Sequence, residues 1–235
     1  VGVGLAEDRI TRLMEEHLRS QVPIFKPLMT PERSIYDLFK VVFADANVML
    51  KEHFRCVAPI IEYSRREFYN NEIIPLRLPK LSERLDPPLV DVLVEDGVKT
   101  GDMNKREAAF IVDEIKKIVS DPTLSGRTIG VVSLLGNHQA KLVYERLEQE
   151  VGYEAMQAFN IACGDPRTFQ GNERDIMFLS LVASRTEKAP LSRDAFAQRF
   201  NVAASRARDR MYLVRSVEAS ELSQADRFRL SLLQH

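Results

Sequence analysis

The chain has 235 residues, 33 lysines and arginines against 34 aspartates and glutamates, 45% apolar residues and 29% charged ones. That balance is too apolar for a disordered chain and suits one large folded domain, or one and a half small ones. No apolar run reaches the ~20 residues that span a bilayer, and the two cysteines, Cys56 and Cys163, exclude a disulfide framework or a cysteine-rich zinc site. A reducing, cytoplasmic compartment is expected.

In chain order, residues 5–19 carry apolar side chains at Leu5, Ile10, Leu13, Met14 and Leu18, close to a helical period. Residues 21–30 hold two prolines and break it. Thr30-Pro31-Glu32 has the pattern of an N-cap with proline at the first helical position. The helix it opens has one apolar face at Ile35, Leu38, Phe39, Val42 and Phe43. Residues 58–69 suit a third helix, and residues 71–88, with four prolines, suit a connector running over a surface. From Leu89 onward the pattern alternates. Strands are expected at 89–94, 127–135, 176–182 and 211–214, with helices at 105–119, 137–150 and 196–208. Strands apolar on both faces and separated by helices predict a parallel sheet covered on both sides. Its strand C-terminal ends would share one edge, the usual place for a ligand.

Several chemistries are poor fits. None of the ten glycines precedes a lysine, so no G-x-x-x-x-G-K-[ST] phosphate loop is present. The sequence opens on Val1 without a leader pattern, so a longer parent protein is expected. His17, His53, His138 and His235 are scattered without metal-ligand spacing, and no Ser or Cys sits in a nucleophile elbow, so no metal site is expected. Phe110-Ile111-Val112-Asp113-Glu114 imitates a strand ending in an acidic pair. Ile115, Ile118 and Val119 continue with helical spacing, so it reads as a helix.

The arginines are unevenly placed. Arg193, Arg199, Arg206, Arg208, Arg210 and Arg215 face only Asp194 and Asp209, a local balance of +4. In Asn201-Val202-Ala203-Ala204-Ser205-Arg206-Ala207-Arg208, small residues would let a helix pack closely while a guanidinium projects from its end. Such a group suits a phosphate. A basic solvent-exposed helix fits the same residues. Thr168-Phe169-Gln170-Gly171-Asn172-Glu173-Arg174-Asp175 places amide and carboxylate groups in a tight turn before a strand, although a plain turn is the simpler reading of these residues taken alone. Arg55 stands near a strand–helix junction, where a surface ion pair is the ordinary role.

Taken together and in order, these segments resemble the C-terminal motifs of superfamily 1 helicases, in the branch of the nonsense-mediated-decay and Okazaki-fragment helicases. Leu50-Lys51-Glu52-His53-Phe54-Arg55-Cys56-Val57-Ala58-Pro59 with Phe68-Tyr69 resembles motif IV. Ile129-Gly130-Val131-Val132-Ser133 with Gln139 resembles the family's I-G-V-[IV]-[TS]-P-Y-x-x-Q block. Residues 168–175 with Leu179-Ser180 resemble motif V, and residues 201–208 resemble motif VI. The resemblance covers residues 34–214. It implies the second of two RecA-like domains, an α/β fold without its own phosphate loop, spanning 34–235 and preceded by a helical segment at 1–33. Motifs I to III would lie upstream.

The same resemblance implies roles. Arg206 would be an arginine finger and Arg55 a second γ-phosphate contact. Glu173 would meet the ribose, with Gln170, Gly171 and Arg208 completing the nucleotide side. Ser133, Asn137, Arg167 and Thr168 would meet single-stranded DNA or RNA. ATP and Mg2+ would be held mainly by the N-terminal RecA-like domain of the same protein, so the chain alone would not hydrolyse ATP. Two departures stand out. Leu134-Leu135 replaces Pro-Tyr, which removes a stacking aromatic. Asp165 replaces a hydroxyl residue, and would repel a phosphate unless Arg167 compensates. The rival expectation is a non-catalytic nucleic-acid-binding or scaffold module that keeps the fold.

Overall fold

The computed structural model describes residues 35–185, 190–191 and 194–234, together with residues 12 and 16. The helix expected at 5–19, the cap at 30–32 and Arg193 therefore lie outside the described residues, apart from residues 12 and 16. The chain divides into two compact units, Val1–Leu50 and Lys51–His235. In the first, helix α1 (Ile35–Val42) ends in a 3-10 turn (Ala44–Ala46). Asn47 closes that end, its amide donating to the carbonyls of Phe43 at 3.1 Å and Ala44 at 3.2 Å.

The second unit is built on a five-stranded, wholly parallel sheet. Its strands are β3 (Leu89–Leu93), β6 (Ile129–Ser133), β7 (Ala162–Gly164), β8 (Arg174–Ser180) and β9 (Ala207–Arg215), in the order β3-β9-β8-β6-β7. This is the parallel α/β architecture that the alternating pattern predicts, and it is consistent with the RecA-like fold that the resemblance implies. Two short ladders accompany it. One is β1 (Glu52–His53) parallel to β2 (Ile74–Pro75); the other is the hairpin of β4 (Lys99–Thr100) and β5 (Met103–Asn104).

Both faces of the sheet are covered because alternate residues of each central strand are apolar on both sides. Ile176, Phe178, Tyr212, Val214, Ile129 and Val131 pack against α3 (Lys105–Ser120) and α4 (Asn137–Glu150). The rings of Phe178 and Tyr212, partners across β8 and β9, stack with centroids 4.4 Å apart. Met177, Leu179, Met211, Leu213 and Val132 face a second core. That core is completed by α2 (Ala58–Phe68), α6 (Asp194–Ala204) and α7 (Arg227–Leu233). A short helix α5 (Tyr153–Ala158) leads into β7. Among the described residues no helix is long and apolar enough to cross a membrane.

Two expected elements change. The helix expected over 196–208 stops at Ala204, and β9 begins at Ala207, four residues before the strand expected there. Ser205 ends the helix by turning its hydroxyl back onto the carbonyl of Asn201 at 2.8 Å. Arg206 thus sits in the turn, and Arg208 lies on a strand. The connector at 71–88 is also more than a surface run. It contributes β2 and a 3-10 turn at Leu81–Glu83, and Arg77 ties it to the sheet through buried Asp209.

Candidate functional site

The turn from α6 into β9 places Arg206 at the N-terminal end of that strand, and Glu173 stands just before β8. The two strand entries are adjacent, with Arg174 paired to Ala207 and the Arg174 N–H donating to the Arg206 carbonyl at 3.1 Å. The β1–α2 junction is strapped over the same rim. The Val57 N–H donates to the Arg208 carbonyl at 2.9 Å, and Arg55 Nη1 donates to the Ser205 carbonyl at 3.3 Å. Arg55, Glu173, Arg206 and Arg208, separated by up to 153 positions in sequence, therefore meet at one edge. It is not the C-terminal edge where the sheet pattern puts a ligand, because these residues come from the entries of β8 and β9.

The charges at this rim are unevenly satisfied. Arg55 Nε donates to Glu173 Oε2 at 2.7 Å, and Arg208 lies 3.6 Å from the other carboxylate oxygen of Glu173 and 3.4 Å from Asp175. Arg210 and Arg215 are likewise engaged, the first by the carbonyls of Asp86 and Pro87, the second by Asp91. Arg206 differs. Its Nε donates to the Val202 carbonyl at 3.1 Å, and no carboxylate pairs with it among the described residues. Burial, and then the neighbouring Arg55, pull its pKa below the usual guanidinium value. A half-buried cation facing another cation is an electrostatically unfavourable arrangement that a bound anion would relieve.

An opening lies beside its neighbour Arg55. A recess of about 350 Å3 is lined by Glu52, His53, Phe54, Arg55 and Glu173. Phe54 is 63% exposed there. Sequence reasoning placed this residue only inside a motif, although an unburied aromatic next to an arginine is a stacking surface in its own right. His53 accepts the Cys56 N–H on Nε2 at 3.1 Å, and burial followed by the Arg55 charge lowers its pKa, so it is neutral near pH 7.

A second polar group forms at the opposite edge. Asn137, at the start of α4, and Thr168 line one pocket of about 270 Å3 with Lys141, Tyr144, Cys163 and Gly164. A Cβ on Gly164 would lie 2.5 Å from Thr168 side-chain atoms, so glycine alone permits this approach. Asp165 is engaged by its own turn. Its Oδ1 accepts the N–H groups of Arg167 at 3.0 Å and Thr168 at 3.1 Å, capping the turn. Arg167 is exposed, its Nε 4.0 Å from the other oxygen of Asp165. Gln170 and Gly171 are exposed, and Gly171 supplies the positive φ of +85° that the turn needs.

Ser133 is a correction. It is 0% exposed on the last position of β6, opposite Ser180, and its hydroxyl has no hydrogen-bond partner among the described residues. A side chain sealed between central strands cannot reach a nucleic-acid backbone in this conformation. Leu134 is buried as well, at 1% exposed, so the first residue of the Leu134-Leu135 pair has become core. The loop from Asp165 to Glu173 links the two edges. Because β7 and β8 are parallel, the chain must run back along the sheet, and Phe169, buried in the core, anchors it midway.

This chain matches the AAA_12 family, described as an AAA domain, over residues 32–218. The chain belongs to that family. The AAA_12 domain is also similar to the uncharacterized ATP-dependent helicase MG140 of Mycoplasma genitalium, 26% identical over 186 residues, which is 72% of this chain and 16% of that protein. Its homolog in Mycoplasma pneumoniae is 25% identical over 190 residues, 74% of this chain and again 16% of the relative. The AAA_12 domain thus spans about a sixth of the curated relatives it matches, with distant homology to ATP-dependent helicases. Among the described residues no group of three His, Cys, Asp or Glu could hold a metal ion.

One buried acid escaped sequence reasoning. Glu107, in the first turn of α3, is 0% exposed. Burial pushes its carboxyl from an ordinary 4.5 up to about 7, against the pull of hydrogen bonds from Ser180, Val182 and Ser216. The native state therefore holds this proton more tightly than the unfolded chain, and its contribution to stability falls as pH rises through 4.5 to 7. Relative to Glu107→Gln, the wild type should lose ~3 kcal/mol between about pH 5 and 8. Urea unfolding of both proteins at several pH values measures this; parallel pH profiles would contradict it.

Proposed function

We propose that this chain is the second motor domain of an ATP-dependent superfamily 1 DNA or RNA helicase. In this reading it contributes arginines to an ATP site shared with an upstream RecA-like domain, and a single-strand surface on its other edge. The observation that carries the reading is the unneutralised Arg206 beside Arg55 at an open rim of the sheet. The residues present fit the anionic end of a nucleotide: two guanidiniums, one without a carboxylate partner, and an exposed aromatic beside them.

Bound ATP would supply the transferable phosphoryl, with Mg2+ held mainly by the upstream domain. Arg206 would neutralise charge that develops on the phosphoryl oxygens. Arg55 would exchange its Glu173 partner for the nucleotide, and Glu173, once released, would turn to the ribose. Phe54 would offer a flat face to the base. These contacts exist only when the two domains are closed, so they favour closure, and their loss on hydrolysis favours opening. The loop through Phe169 would carry the change to Asn137, Thr168 and Arg167, which meet single-strand phosphates. Relatives described as ATP-dependent helicases support the reading, and the family branch suggests 5′-to-3′ movement.

The test uses the full-length protein. Arg55→Ala should lower single-strand-stimulated ATP turnover about a hundredfold while nucleotide affinity stays within about tenfold. Unchanged turnover would sink the assignment. Wild-type protein that binds single strands but hydrolyses no ATP would favour the scaffold.

A further inference from the structure

A sealed polar cluster lies at the C-terminal ends of the central strands. Asn104, Glu107, Gln139, Ser180 and Ser216 are all 0% exposed. Glu107 accepts four donors. Oε2 takes the Ser180 hydroxyl at 2.7 Å and the Val182 N–H at 2.9 Å; Oε1 takes the Ser216 hydroxyl at 2.9 Å and the Asn104 amide at 3.3 Å. No lysine, arginine or histidine pairs with it among the described residues. The cluster has no slack, since a Cβ on Gly97 would lie 1.9 Å from the Ser216 hydroxyl.

Two features make this more than core filling. Val182, which the carboxylate grips, has φ +50°, a left-handed conformation that a β-branched residue adopts only under constraint. And the cluster reaches the first turn of α4. Gln139 donates to Ser180 at 3.2 Å and to the Asn104 carbonyl at 3.0 Å, while accepting the Asn104 N–H at 2.8 Å. Asn137, two residues earlier, lines the 270 Å3 pocket with Thr168. One carboxylate thus fixes the exits of β8 and β9 against the start of α4. A buried acid without a cation is costly to keep, and an apolar residue would fill the same space.

We propose that Glu107 is a positioning residue for the single-strand surface. Through Ser180 and Gln139 it holds the first turn of α4 in the register at which Asn137 and Thr168 share one pocket. It touches neither nucleic acid nor nucleotide. This inference rests on the reading of that edge as a single-strand surface.

In the full-length protein, ATP turnover is measured against poly(dT) and poly(U) concentration for wild type, Glu107→Gln and Gln139→Leu. The second variant breaks the tie to α4 while leaving the carboxylate, so the test survives if Glu107→Gln folds poorly. Both variants should need about tenfold more polynucleotide for half-maximal stimulation, with strand-free turnover and the KM for ATP within about twofold. Amide exchange in residues 137–140 should quicken in both. Folded variants with unchanged polynucleotide dependence would overturn the proposal. A proportional loss of strand-free turnover would overturn it too, by showing general damage. A wild type indifferent to both polynucleotides would overturn the functional reading itself, and this inference with it.

Discussion

Replacing Arg206 with alanine in the full-length protein should reduce ATP turnover roughly a thousandfold or more, the scale at which arginine fingers act. The expectation follows from the charges at the rim. Arg55 is already held by Glu173, and Arg208 by Glu173 and Asp175, so each has a neutral alternative when no nucleotide is present. Arg206 has no such alternative among the described residues, and burial beside Arg55 keeps its charge poorly solvated. Its attraction for an anion is therefore not spent on an internal carboxylate before the reaction begins. In a half-buried setting, charge on a phosphoryl group is stabilised far more than in water. Removing Arg206 should spare folding, because the helix end is held by Ser205 and the strand by its ladder. It should leave nucleotide affinity within about tenfold, since an interaction made mainly in the transition state lowers kcat more than binding. Single-turnover hydrolysis with a parallel nucleotide titration separates the two. Turnover within a few-fold of wild type would remove Arg206 from the chemistry. Arg206→Lys should recover little, because an ammonium lacks the fork that meets two oxygens.

Much of the scaffold is legible in the residues. The apolar runs around Ile129 and Ile176 become two of the three inner strands, and the spacing of Ile111, Ile115 and Ile118 gives the buried face of α3. The boundary at Arg206 is not legible, for a physical reason. Ala203, Ala204, Ser205, Arg206 and Ala207 all tolerate a helix, and the start of β9 alternates buried and half-buried positions as Ala207, Arg208, Asp209 and Arg210. A hydropathy pattern cannot announce a strand whose buried residue is an aspartate. Ser133 misleads in the opposite sense. A serine at a strand end looks available, but β8 and the core on either side close over it. Glu107 shows a third kind of failure. Asn104 followed by a glutamate three residues later has the spacing of a helix-capping box, which normally leaves the acid at the surface. Asn104 does cap the helix, accepting the N–H groups of Arg106 and Glu107 at 3.1 Å. The glutamate turns inward instead, because Ser180 and Ser216, distant in sequence, supply the hydroxyls that receive it. The meeting of Arg55 with residues 173, 206 and 208 is likewise set by strand order and not by local pattern.

Asp209→Ala should be among the most destabilising single substitutions in the chain, costing about 3–5 kcal/mol. Asp209 is 2% exposed on β9 and binds two arginines at once. Arg77 donates Nε and Nη2 to its two oxygens at 2.9 and 3.0 Å, and Arg127 donates Nη1 at 2.9 Å. Removing the carboxylate leaves two largely buried cations facing each other with nothing between them. The consequence is structural as well as electrostatic. Arg77 anchors the proline-rich segment that runs from β2 to β3, and Arg127 also holds that segment through the Glu83 carbonyl. Without Asp209, the groove of about 550 Å3 between this segment and the start of α2 loses its floor. Denaturant unfolding of the chain should show the loss as a lower midpoint. A domain of this size should also melt roughly 6–20 °C lower. A control distinguishes charge from shape. Replacing all three residues together, as Asp209→Leu with Arg77→Met and Arg127→Met, removes the stranded charges and should be clearly more stable than Asp209→Ala alone. If the triple variant is as unstable as the single one, the cost lies in lost packing, and the buried triad is not what fixes this segment to the sheet.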